Sequence, residues 1–117
     1  MVVLVAEDDD AIFDVINIIL GGEGYLIIRA IDDASISAAV QKQQPNVILL
    51  DISLGASNGG EVTEKLKNNP DTKTIPIIMM SAHTETEVIA KRTGADGFLL
   101  KPFDINDLLS KVKEFST

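Results

Sequence analysis

Short apolar runs alternate with longer stretches of helical periodicity along the whole chain. Residues 2–6 form one unbroken apolar run, and Val47, Ile48, Leu49 and Leu50 form another that ends at Asp51. Runs this short, bounded by turn formers and rich in branched side chains, predict strands buried on both faces. The spacing places strands over 2–6, 25–29, 46–51, 75–81 and 97–101. Pro76 falls near the start of the fourth, where a missing backbone donor is tolerated. The first helix is expected to start at Ala11 behind an Asp10 cap, with Ile12, Val15, Ile16, Ile19 and Leu20 on its inner stripe and Gly21-Gly22 as its stop. Asp32-Asp33 opens a second helix whose small inner residues are Ala34, Ile36, Ala38, Ala39 and Val40. Residues 55–60 read as a flexible loop. A short helix follows over 61–68, with Val62 and Leu66 inward and Glu61 paired with Lys65 four residues on. Thr84 and Glu87 have the spacing of a capping box before the fourth helix, which Gly94 ends. Asp104 caps the fifth, whose stripe is Ile105, Leu108, Leu109 and Val112. Strands alternating with helices in this way predict an α/β fold: a parallel sheet covered on both faces by helices through right-handed crossovers.

Composition narrows the classes. A length of 117 residues suits one domain with one sizeable core, and a single domain over residues 1–117 is expected. No apolar run approaches the roughly 20 residues that span a bilayer. The start of the chain turns acidic at Glu7 without a basic region, unlike a secretory signal. There is no cysteine, so disulfide and thiolate chemistry are excluded and a cytoplasmic setting is compatible. A formal net charge of -8 argues against direct nucleic-acid binding, which needs a basic surface.

In a parallel sheet all strands end at one edge, and ligands bind there. The first strand delivers Glu7 and Asp8 to that edge, the third Asp51, the fourth Ser81 and the fifth Lys101; the second ends in Arg29-Ala30 and contributes less obviously. Any one of these residues alone has an ordinary role as a helix-terminal, turn or surface group. Together they are three carboxylates against one ammonium group, and a divalent cation would cancel the excess. Oxygen ligands without histidine or cysteine favour a hard ion, most simply Mg²⁺. Such a site suits a phosphoryl group: Lys101 neutralises its oxygens, Ser81 donates a hydrogen bond, and Asp51 can attack in line.

These residues, with Ala82, Pro102 and Gly59, resemble the receiver domain of two-component response regulators over the whole chain. The resemblance implies a doubly wound, flavodoxin-like sheet of five strands in order 2-1-3-4-5. It implies that Asp51 accepts a phosphoryl group from the phosphohistidine of a sensor histidine kinase or phosphotransfer protein. Asp8, Asp51 and the backbone carbonyl of Ser53 would ligate Mg²⁺, and Glu7 would act through a metal-bound water. Lys101 would contact Asp51 at rest. Ser81 would shift toward the phosphoryl group, and Phe98 stands in the position of the family's aromatic switch residue, where it is either such a switch or an ordinary core side chain. Lys101-Pro102 would be a cis peptide. Ser53 and His83 would border the phosphoryl group and tune its lifetime. The sequence departs from the family's habits at Leu54-Gly55 and Asn58, which with Gly59-Gly60 predicts a looser loop.

The function expected is a phosphorylation-dependent switch that catalyses only its own phosphoryl transfer and dephosphorylation, then presents a changed surface to a downstream output protein or domain. The face of the last helix is a candidate homodimer interface. The alternative is a receiver-like binding module that works without phosphorylation. A haloacid-dehalogenase-like phosphatase is a weaker rival, because it needs an aspartate where Ser53 stands.

Overall fold

The computed structural model describes residues 1–55 and 57–116. Five strands, β1 (Val2–Ala6), β2 (Leu26–Ala30), β3 (Val47–Asp51), β4 (Ile77–Ser81) and β5 (Gly97–Leu100), form one parallel sheet in the order β2-β1-β3-β4-β5. Helices α1 (Asp10–Gly22), α2 (Asp33–Gln43), α3 (Gly59–Asn68), α4 (Thr86–Thr93) and α5 (Ile105–Phe115) connect and cover it. The parallel α/β sheet is the one expected from the alternation of elements, and its order is the flavodoxin-like one that the resemblance implies.

The apolar runs explain why the sheet is covered twice. Successive side chains of a strand point to opposite faces. Val3 and Val5 of β1, with Val47 and Leu49 of β3, therefore join Ile16, Leu20, Leu108 and Val112 in a core beneath α1 and α5. Leu4, Ala6, Ile48 and Leu50 face the other way, against Ile36, Val40, Val62 and Leu66 of α2 and α3. Every residue of β3 is buried, and each such aliphatic side chain contributes roughly 1.5–3 kcal/mol of transfer free energy. The central strand, and the carboxylate at its end, are thus held from both sides.

Several expectations shift at the helix ends. Asp9, not Asp10, caps α1, its carboxylate accepting from the Ile12 amide at 3.0 Å. The helix runs through Gly21 and Gly22 into a turn at Gly24, whose φ is +91°. Helix α3 begins at Gly59 rather than Glu61, because Asn58 Oδ1 accepts from the amides of Gly60 and Glu61 at 2.9 and 3.2 Å. Helix α4 follows Glu85 without a side-chain cap; Thr86 instead donates its hydroxyl to the His83 carbonyl at 2.6 Å, so Thr84 and Glu87 form no capping box. Gly94 and Asp104 end α4 and cap α5 as expected.

The inner faces are also narrower than the apolar patterns. Val15 and Ile105 are more than half exposed, and Ala34 and Ala38 are exposed. A helix on a sheet buries only one stripe, and these residues flank it. Lys65 pairs with Asp33 of α2 at 3.2 Å and thereby ties α3 to its neighbour, rather than meeting Glu61 on its own helix. Among the described residues, no helix is long and apolar enough to cross a membrane.

Candidate functional site at the carboxyl edge of the sheet

The strand ends converge as parallel geometry requires. Asp51 closes β3 and its side chain is almost wholly buried. Its Oδ1 accepts from the Ser53 amide at 3.1 Å, and its Oδ2 accepts from Lys101 Nζ at 3.1 Å. These two donors fix the carboxylate's orientation. Lys101 reaches the site because its amide extends the ladder to the Ser81 carbonyl at 2.8 Å; the next peptide, Lys101–Pro102, is cis.

Glu7 is nearer to Lys101 than Asp51 is. Its Oε1 accepts from Nζ at 2.8 Å, its Oε2 accepts from the Asp9 amide at 3.3 Å, and the residue is 1% exposed. Burial pushes the Glu7 carboxyl up to about 7; the bond from Lys101 offsets part of this, and the neighbouring Asp51 carboxylate adds to it. For Lys101, burial works against the charged form, but Glu7 and Asp51 outweigh it and hold the ammonium above its ordinary value. Asp8 is exposed at the rim. Glu7, Asp8 and Asp51 each offer a carboxylate oxygen within 4.8 Å of the others. An all-oxygen set of this kind, two members buried and one facing solvent, fits a hard divalent cation that keeps part of its hydration.

The remaining predicted residues lie on the fourth and fifth strands or just past the ends of the third and fourth. Ser81 ends β4, is buried, and accepts on its hydroxyl from the His83 amide at 3.0 Å. His83 and Ser53 are both exposed. Phe98 is half-buried in β5, paired in register with Met79 of β4. The segments Ser53–Leu54 and Ser57–Asn58 pair as a small antiparallel ladder within the loop that follows Asp51. Gly59 shows why that loop ends in glycine. A Cβ there would lie 2.5 Å from the Asp51 carbonyl and 2.6 Å from Ile52 Cα, closer than any side-chain carbon can sit. The glycine lets α3 start directly against the end of β3.

Two features were not visible in the residue pattern. One is the direct Glu7–Lys101 ion pair; the strand ends show that both groups reach the rim but not which partner the lysine takes. The other is Arg29, whose Nε donates to the Glu7 carbonyl at 3.1 Å. The register of β1 on β2, Val5 opposite Arg29 and Ala6 opposite Ala30, brings it there.

Residues 3–113 match the response regulator receiver domain family, and the chain belongs to that family. It is 33% identical over 113 residues to the DNA-binding dual master transcriptional regulator RpaA of Synechocystis sp., covering 95% of this chain and 47% of that protein. It is 30% identical over 113 residues to the phosphate regulon transcriptional regulatory protein PhoB of Rhizobium meliloti, covering 95% of this chain and 50% of that one. The chain therefore spans about half the length of these relatives. Its structure resembles the receiver domain of NtrX from Brucella abortus, with a TM-score of 0.89, 31% identity and 97% of each chain covered. It resembles the chemotaxis response regulator CheY4 of Vibrio cholerae equally closely, at a TM-score of 0.89, 28% identity and 97% of each chain. The acidic pocket lies at the edge where α/β folds of this kind bind their ligands.

Proposed function

We propose that the chain acts as a single receiver domain, a switch thrown by phosphorylation of Asp51. The observation that carries this reading is the buried Asp51 carboxylate, held between the Ser53 amide and Lys101 with Glu7 and Asp8 beside it. A carboxylate oxygen of Asp51 attacks the phosphorus of a phosphohistidine on a sensor kinase or phosphotransfer protein. The new P–O bond forms as the P–N bond breaks, and the imidazole keeps the electron pair and takes a proton. Glu7, Asp8, Asp51 and the Ser53 carbonyl would hold Mg²⁺, which when bound neutralises charge on the phosphoryl oxygens. Lys101 exchanges its bond to Asp51 for one to the phosphoryl group, and Ser81 turns its hydroxyl toward the same group. Attack of water on the phosphorus then resets the switch, releasing inorganic phosphate and the carboxylate.

The phosphoryl group brings about two negative charges and three acceptor oxygens. Movement of Ser81 and Lys101 toward it would bias the packing of α4, β5 and Phe98 between two arrangements. The surface so altered would be read by an output protein or domain. The relatives named as DNA-binding regulators support an output in transcription, exerted through an output protein or domain rather than by this acidic domain itself. Pairing of two copies through the α5 face belongs to the same proposal.

The test is incubation with acetyl phosphate, with and without Mg²⁺, followed by intact mass. The expected result is Mg²⁺-dependent addition of one phosphoryl group that Asp51→Asn removes. No addition under either condition would instead favour a binding module that works without phosphorylation.

A further inference from the structure

Arg29 makes three contacts that the proposed chemistry does not use. Its Nε donates to the Glu7 carbonyl at 3.1 Å, its Nη2 meets Asp10 Oδ1 at 2.8 Å, and its guanidinium carbon lies 4.6 Å from the centre of the Phe13 ring. The first contact is on the last peptide before Asp8, and the other two are on the first turn of α1. We propose that Arg29 is a positioning residue for the cation site: it holds the Glu7–Asp8 peptide between β2 and α1 and so sets the affinity for Mg²⁺. This rests on the reading of Glu7, Asp8 and Asp51 as the cation's ligands.

The reason lies in how differently the three carboxylates are held. Glu7 and Asp51 are buried and bonded to Lys101. Asp8 stands exposed at the rim, so its aim depends on its backbone. The Glu7 carbonyl lies in the peptide plane that leads into Asp8, and anchoring that oxygen fixes the plane. A guanidinium suits the task because its planar fork can donate to a carbonyl and a carboxylate at once while stacking on a ring. The exposed pair with Asp10 would do little by itself. Residues that orient ligands from behind commonly change metal affinity by about 10–100-fold.

Electrostatics alone predicts the opposite sign, so the two effects can be told apart. A fixed positive charge near the site repels Mg²⁺, so its removal should tighten binding unless positioning dominates. Arg29→Met keeps an apolar stem on Phe13 and loses both charge and donors; Arg29→Lys keeps the charge and a donor. Each variant is titrated with MgCl2 by calorimetry at fixed ionic strength, and its melting temperature is taken in EDTA. The expected result is about tenfold weaker Mg²⁺ binding in Arg29→Met, partly recovered in Arg29→Lys. A purely structural role would lower the melting temperature in EDTA and leave the Mg²⁺ affinity of the folded protein unchanged. If Arg29→Met does not fold, an affinity in Arg29→Lys equal to that of the unaltered chain overturns the proposal, and an affinity measurably weaker than that of the unaltered chain supports it. Binding in Arg29→Met as tight as or tighter than in the unaltered chain overturns the role of Arg29 alone. Failure of the unaltered chain to bind Mg²⁺ overturns the cation site itself, and the proposal with it.

Discussion

Asp51 takes its character from its neighbours rather than from its own position. A carboxylate at a strand end is common, but this one is buried, bonded by an amide and an ammonium group, and flanked by two further acids. Lys101 lets Glu7 and Asp51 be buried together, since an unpaired charge at such depth would cost several kcal/mol. In the proposed switch the rim residues would set the lifetime of the phosphoryl group. Ser53 is small and exposed, next but one to Asp51, and its amide is already committed to the carboxylate. Bulk at this position should hinder water without removing any reacting group. Ser53→Met is therefore expected to slow loss of the phosphoryl group several-fold while leaving its uptake intact, and His83→Ala to change the same rate. The decay of phosphorylated protein after removal of the donor, followed by intact mass, measures this. Unchanged decay in both variants would remove the rim from the account.

Glycine substitutions separate what the elements tolerate. Gly59→Ala would drive a methyl group into the backbone of Asp51 and Ile52, and should lower stability by roughly 2 kcal/mol or more in urea denaturation. Gly21 lies inside α1, where an added side-chain carbon would meet nothing within 4 Å, so Gly21→Ala should raise stability by about 0.5–1 kcal/mol. Equal effects would contradict the close approach of α3 to β3. Helix α2 offers a test by pH. Asp32 caps it, accepting from both the amide and the hydroxyl of Ser35, and these bonds hold its carboxyl below the usual value. The folded state thus binds this proton less readily than the unfolded chain. The contribution is present above the unfolded value of about 3.8 and is lost as pH falls through the lower folded value. Asp32→Ala should lower the melting temperature at pH 7, with the difference shrinking in acid.

The same elements show what could be read from residue order. All five strands and all five helices were legible, because an apolar run or a helical stripe records burial directly. The starts of α1, α3 and α4 were not, since Asp8, Asp9 and Asp10 are interchangeable as caps on paper, Asn58 caps from within a run of turn formers, and Thr84 with Glu87 only mimics a capping box. The convergence of Glu7, Asp8, Asp51, Ser81 and Lys101 followed from parallel topology alone. The partner chosen by Lys101, and the hold of Arg29 on Glu7, depend on side-chain reach and strand register, which no local pattern carries.

At the level of the whole molecule, the sheet separates two cores and joins them at one edge. The α1 and α5 core and the α2 and α3 core both pack on β1 and β3, and the acidic pocket lies where those strands end. Under the proposed function, a change in charge at Asp51 would be delivered to a centre buried on both faces, with Ser81 and Lys101 carrying it toward β5 and the helices beside it. The domain is small, 33 × 32 × 27 Å, and acidic, with a formal net charge of -8, so recognition by partners should rest on local surface shape and charge.

The most direct test of this account is to find the atom that carries the phosphoryl group. The chain is treated with acetyl phosphate and Mg²⁺, the acyl phosphate is reduced with borohydride, and the peptides are read by mass spectrometry. Homoserine is expected in place of aspartate at residue 51 and at no other acidic residue. Reduction product at Glu7 or Asp8, or at none of the three, would contradict it.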